Sequence, residues 1–179
     1  NDMTECRAQT RNTAFSTVLT GGGSTEVTCD TDKAYSYAKK ITGVTDTELQ
    51  NTTILMLVNQ NVYAGTCWME RSGRSVSICP AGPTFRNIVV HEGGGHGFGR
   101  LKDEYRYTDA TIPVGDKNLV LDWRTLDPYF AYNISFTNDK NTAHWGHFIG
   151  RKGYDAVGFF EGGMLYTKGV WRPETISCM

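Results

Sequence analysis

Long apolar runs are missing from this sequence, and with them the roughly 20-residue segment that a membrane-spanning helix requires. A surplus of one charge is missing too. Lys and Arg number 18 against 19 Asp and Glu, a formal net charge of -1. Electrostatics therefore gives no case for nucleic acid or an anionic membrane surface as a partner. No C-x-x-C spacing occurs among Cys6, Cys29, Cys67, Cys79 and Cys178, which removes the common thiolate metal and redox motifs. No secretory leader is recognisable. The chain opens on Asn1-Asp2 without an initiator Met, and the expectation is a processed or trimmed piece of a longer parent.

What is present suits one domain of ordinary size. The 179 residues are enough for one good core. A single domain over 1–179 is expected, with 1–13 as an extended lead-in. Glycine is abundant at 20 residues, clustered at Gly21–Gly23, Gly93–Gly99 and Gly162–Gly163, which suggests loops and close backbone approaches. Cys67 and Cys79 flank a polar turn between two apparent strands and could bridge them. Cys6 and Cys29 form a weaker pair. Such bridges would fit an exported protein; free buried thiols acting as small hydrophobes are the equal alternative.

Along the chain, Ala14 to Thr20 suggests a short strand, and Gly21 to Ser24 a break. Asp30 or Asp32 offers an N-cap for a helix with Ala34, Tyr37, Ala38 and Ile41 on one face, ending at Gly43. Tyr35 and Tyr37 are expected to pack. The apolar run Thr53 to Asn59 predicts a strand buried on both faces. Val62 to Met69 and Ser75 to Cys79 predict a hairpin turning at Glu70 to Arg74, with the first of these a candidate sheet edge. Thr84 is placed to cap the next helix, which buries Phe85, Ile88 and Val89. Beyond Tyr105 the chain looks loop-like to Asp116, and Tyr154 to Met164 looks like another Gly-spaced loop.

The helix starting near Thr84 runs into His91-Glu92-Gly93-Gly94-Gly95-His96-Gly97-Phe98-Gly99-Arg100-Leu101-Lys102-Asp103-Glu104-Tyr105. A hydrolytic zinc site needs three protein ligands and one position left for water. Bound zinc brings the pKa of that water to roughly 7, and a neighbouring carboxylate takes its proton. The helical solution is H-E-x-x-H, with both His on one face and the Glu as base. Here the His spacing is i, i+5, which on a regular α-helix turns the second imidazole about 140° from the first. One extra residue taken up as a π-bulge restores the shared face, and Gly93, Gly94 and Gly95 would tolerate it. Each costs about 1 kcal/mol relative to Ala in a helix, which a purely structural helix has no reason to carry. The bland alternative is a Gly-rich loop with a Glu92–His96 ion pair.

In metzincins the pattern continues H-x-x-G-x-x-H, with a Gly that turns the chain before a third ligand. Gly99 occupies that Gly position. Asp103 is the favoured third ligand, then Glu104, with His147 in reserve; His144 and His147 otherwise read as packing and solvent-facing imidazoles. Tyr105 and Tyr166 are candidates for oxyanion stabilisation. Glu161 is a candidate for shaping a specificity pocket, with a structural Glu as the alternative.

The segment His91 to Tyr105 resembles the active-site segment of the IgA-peptidase family of bacterial zinc metalloendopeptidases, in particular the secreted branch with the motif H-E-x-G-G-H-G-F-G-x-L-x-D-E-Y. Glu161-Gly162-Gly163, Gly169-Val170-Trp171-Arg172-Pro173 and Ser177-Cys178-Met179 are also similar to that family. The closing Ser-Cys-Met looks like a Met-turn, with Met179 beneath the zinc-binding imidazoles. The resemblance implies a metzincin-like α/β fold, with a twisted mixed sheet packed on the active-site helix and a Gly-rich C-terminal part. It implies one catalytic zinc, endopeptidase activity on a polypeptide, and a secreted, periplasmic or cell-surface bacterial location. The residues themselves leave two rivals open: a zinc amidase or hydrolase on cell-wall peptides or small molecules, and a non-catalytic binding module with a degenerate site.

Overall fold

The computed structural model describes residues 9–10 and 13–179. Expectations for the rest of the lead-in, Cys6 included, fall outside the described residues. The architecture is mixed α/β, with small sheets and, in the first unit, a helix packed against one of them. Contacts gather into two compact units, one running to Phe98 and the other from Gly99 to Met179.

The first unit opens with three two-residue strands, β1 (Gln9–Thr10), β2 (Val18–Leu19) and β3 (Val27–Thr28), in antiparallel order β1-β2-β3. The strand expected over Ala14 to Thr20 is reduced to β2, and β3 was not foreseen. Helix α1 (Thr31–Ala38) starts where Asp30 accepts the Lys33 amide at 3.0 Å. It stops well short of Gly43, and it buries Ala34 and Tyr35 while Tyr37 and Ile41 stay exposed. The Tyr35 hydroxyl donates to the Ser75 carbonyl, so the sheet, not the 3.6-residue stripe, decides which tyrosine goes inside. Helix α2 (Asp46–Leu49) carries a Thr45/Glu48 capping box.

Strands β4 (Thr53–Val58), β5 (Thr66–Met69) and β6 (Ser75–Pro80) form the sheet that matters for the site, in the order β4-β6-β5. β4 runs parallel to β6, and β5 is antiparallel to it. The hairpin turn falls at Glu70–Arg74 as expected, closed by the Glu70 amide on the Arg74 carbonyl and by the Arg74 guanidinium on Glu70. β5 takes the edge position proposed for this segment. The doubly buried strand is not β4: Leu55 and Leu57 are 43% and 60% exposed. It is β6, every residue of which is buried. Val76 and Ile78 join the core with Leu19, Val27, Ala34, Tyr35, Met56 and Ala64. Ser75, Ser77 and Cys79, alternating with them, occupy the opposite face.

In the second unit, β7 (Arg106–Thr111), β8 (Phe160–Gly163) and β9 (Leu165–Arg172) form a sheet in the order β7-β9-β8. Helix α4 (Val114–Arg124) lies between β7 and β8 in sequence. Ile112, Ile134 and Val170 make the core, with Phe136, Met164 and Tyr166 against it. Strands β7 and β8 thus fall within the loops expected after Tyr105 and around Tyr154 to Met164.

Among the described residues no helix is long and apolar enough to cross a membrane. Cys29 and Cys79 are free thiols, so the expected Cys67–Cys79 bridge is absent; the weaker Cys6–Cys29 expectation falls outside the described residues. Across the hairpin Cys67 lies opposite Ser77, not Cys79.

Candidate metal centre

Helix α3 (Phe85–Ile88) leads directly into a π-helix over Val89–Phe98. Thr84 holds the N-cap position without a side-chain capping bond. Ile88 is buried, while Phe85 and Val89 are half-buried. The single bulge expected from the His spacing is in fact a whole π-helical segment. Its i→i+5 hydrogen bonding brings residues five apart over one another, so His91 and His96 share a face. Their rings stand edge to face, 4.7 Å between centroids and 81° between planes.

Strand β6 holds this segment in place. The Ser77 hydroxyl donates to the Glu92 carbonyl at 2.8 Å. The Ser75 hydroxyl lies 2.9 Å from Thr53 Oγ1 and 3.3 Å from the Gly97 carbonyl. Gly97 permits the close approach: a Cβ there would fall 2.7 Å from Thr53 Cγ2 and 2.9 Å from Ser77 Oγ.

The result is a group of three donors. One ligand atom each from His91, Glu92 and His96 lies within 4.8 Å of the others. Glu92 and His96 are 6% and 8% exposed, and His91 is half-buried. This donor set suits zinc, which takes imidazole nitrogen and carboxylate oxygen. Two imidazole nitrogens bound tetrahedrally at about 2.0–2.1 Å would stand roughly 3.3 Å apart, a small side-chain adjustment from the spacing present. Beneath them Cys79 is a neutral thiol, its pKa pushed up to about 12 by burial and then by the charges of Glu92 and Cys67.

The remaining sequence-predicted residues belong to the second unit. Asp103 is half-buried, and its carbonyl accepts the Met164 amide at 2.8 Å. Glu104 is buried. One oxygen accepts from the Asn133 amide at 2.8 Å, and the other has no hydrogen bond of good geometry. Burial raises its pKa against the opposing pull of Asn133, Ser177 and Arg172. Tyr105 is exposed and its ring tilts against Tyr107. His147 is exposed beside Phe148, while His144 stacks on Tyr132 at 3.7 Å. The Tyr166 hydroxyl donates to Asp116 at 2.8 Å, which raises its pKa. Glu161 accepts the Gly169 amide at 2.9 Å, a tie within the β8–β9 hairpin that matches its structural alternative. Met179 is buried, its amide donating to Ser177 Oγ.

Sequence reasoning missed Gly65 and Ser77, which touch Glu92. The alternation of small polar and branched apolar residues in Ser75-Val76-Ser77-Ile78 was the available signal for a face that another backbone approaches.

Fold and site together define a mixed α/β protein with a His-Glu-His group able to hold a metal ion. No known protein-family model and no curated protein matches this chain.

Proposed function

We propose that this chain is the catalytic domain of a zinc-dependent endopeptidase of metzincin type, akin to the bacterial IgA-peptidase family, acting on polypeptides outside the cytoplasm. The observation that carries the proposal is the convergence of His91, Glu92 and His96 despite the i, i+5 spacing. In this reading His91 and His96 hold the ion, and Asp103 supplies the third ligand, with Glu104 and His147 as alternatives. A bound zinc ion would supply Lewis acidity toward water and the scissile carbonyl. Glu92 accepts the proton of the attacking water and returns it to the leaving nitrogen. Ser177-Cys178-Met179 serves as the Met-turn.

The test combines metal analysis with hydrolysis of labelled casein and a peptide library. Wild type and Glu92→Gln should both carry zinc, with turnover falling roughly 10²–10⁴-fold in the variant. His96→Ala should lose the metal. Full turnover by Glu92→Gln would sink the mechanism. Cleavage confined to non-peptide amides would favour the amidase reading, and a metal-free, inert protein the binding module.

A further inference from the structure

Gly65 directly precedes β5, and its amide donates to the Thr25 carbonyl at 3.0 Å, which ties its backbone down. Its φ lies outside the left-handed region, so the backbone conformation gives no reason for glycine. Space does. A Cβ at Gly65 would stand 2.7 Å from Glu92 Oε1, 3.0 Å from Glu92 Cγ and 2.8 Å from Ile88 Cγ2. All three are closer than ordinary carbon contacts of about 3.5–4.0 Å. Glu92 is therefore fixed from two sides. Ser77 holds its main-chain carbonyl, and its carboxylate lies against the bare Cα of Gly65.

We propose that Gly65 is a positioning residue: its lack of a side chain sets where the Glu92 carboxylate lies relative to the two imidazoles. The inference rests on the peptidase reading and deepens it, because it assigns placement of the base to the chain entering β5 as well as to the π-helix. A methyl group at Gly65 would turn the carboxylate aside while leaving the imidazoles in place. Misplacement of a reacting group by about 1 Å can cost on the order of 10²-fold in rate.

The experiment compares wild type, Gly65→Ala, Glu92→Gln, Glu92→Ala and the corresponding double variants. Readouts are zinc content, melting midpoint, and kcat and KM on labelled casein. Gly65→Ala should keep its zinc and a KM within about twofold of wild type, and lose kcat by roughly 10–100-fold. Adding it to Glu92→Gln should cost no further turnover, the non-additivity expected of residues acting through one group. A lowered melting midpoint in Gly65→Ala should recover in part when Glu92→Ala removes the crowded carboxylate. If Gly65→Ala does not fold, folding of Gly65→Ala/Glu92→Ala supports the proposal and failure of both overturns it. Wild-type kcat in zinc-loaded Gly65→Ala overturns it while leaving the peptidase reading intact. An inert zinc-loaded wild type, or an active Glu92→Gln, removes the peptidase reading and this inference with it.

Discussion

Two glycines of one motif show how far a residue's role depends on what it touches. Apart from its chain neighbours and its own helix backbone, Gly94 has no atom within 4 Å of where its Cβ would be, whereas Gly97 is closed in by Thr53, Ser77 and Ser75. Neither has a left-handed φ. Gly94→Ala should stabilise the protein by about 0.4–1 kcal/mol, chiefly by restricting the unfolded chain. Gly97→Ala should destabilise it by roughly 1–3 kcal/mol through overpacking. Urea denaturation of the two variants measures both signs. Equal effects would mean that the π-helix does not lie against β6 as described. The motif spelled out glycines throughout, but it did not say which one packs and which one faces solvent.

Among the elements, the exit from the π-helix departs most from expectation. The metzincin pattern assigns the turn to Gly99, yet the left-handed residue is Arg100, at φ 56°. A non-glycine residue holds that conformation only where its surroundings over-determine it. Here the buried Arg100 guanidinium pairs with Asp127 at 2.9 Å, and its carbonyl accepts the Ala131 amide at 2.8 Å. Asp127→Ala would remove a charge-assisted hydrogen bond from the buried guanidinium and should cost roughly 1–3 kcal/mol, measurable as a lower urea midpoint at unchanged m. A loss below roughly 0.5 kcal/mol would show that the pair does not hold this turn. The β8–β9 hairpin was hidden for a related reason. Gly163 pairs with Tyr166, so the connection is Met164-Leu165, both at positive φ. Such turns favour Asn-Gly or Asp-Gly, and Met-Leu gives no such signal. The Thr45/Glu48 capping box, by contrast, was legible as S/T-x-x-E and was overlooked.

Across the whole molecule, each unit has its own apolar cluster, and stability must come from these cores rather than from the bridge expected at Cys79. Burial, and secondarily Asp30, pushes the Cys29 pKa up to about 11 from 9.0; Cys79 rises further. Only thiolate is alkylated. At pH 8 the thiolate fraction at Cys29 falls from about one tenth to about one thousandth. Iodoacetamide should therefore label Cys29 and Cys79 in the folded protein at least about 100-fold more slowly than in urea, followed by mass spectrometry. Fast labelling of Cys79 in the folded state would contradict its burial under Glu92.

By itself the sequence determined the donor chemistry: two imidazoles, an adjacent carboxylate and a spacing that no regular α-helix could reconcile. It also determined the Glu70–Arg74 turn and narrowed the start of α1 to Asp30 or Asp32. These are local matters, because covalent spacing decides which groups can share one helical face. Only the tertiary structure decided that the distortion extends over Val89–Phe98, that β6 rather than β4 is covered on both sides, and that Tyr166 and Glu161 have other partners. Burial and hydrogen bonding depend on which backbone lies alongside. That neighbour is set by contacts between residues far apart in the chain, and no local pattern of apolar residues records it.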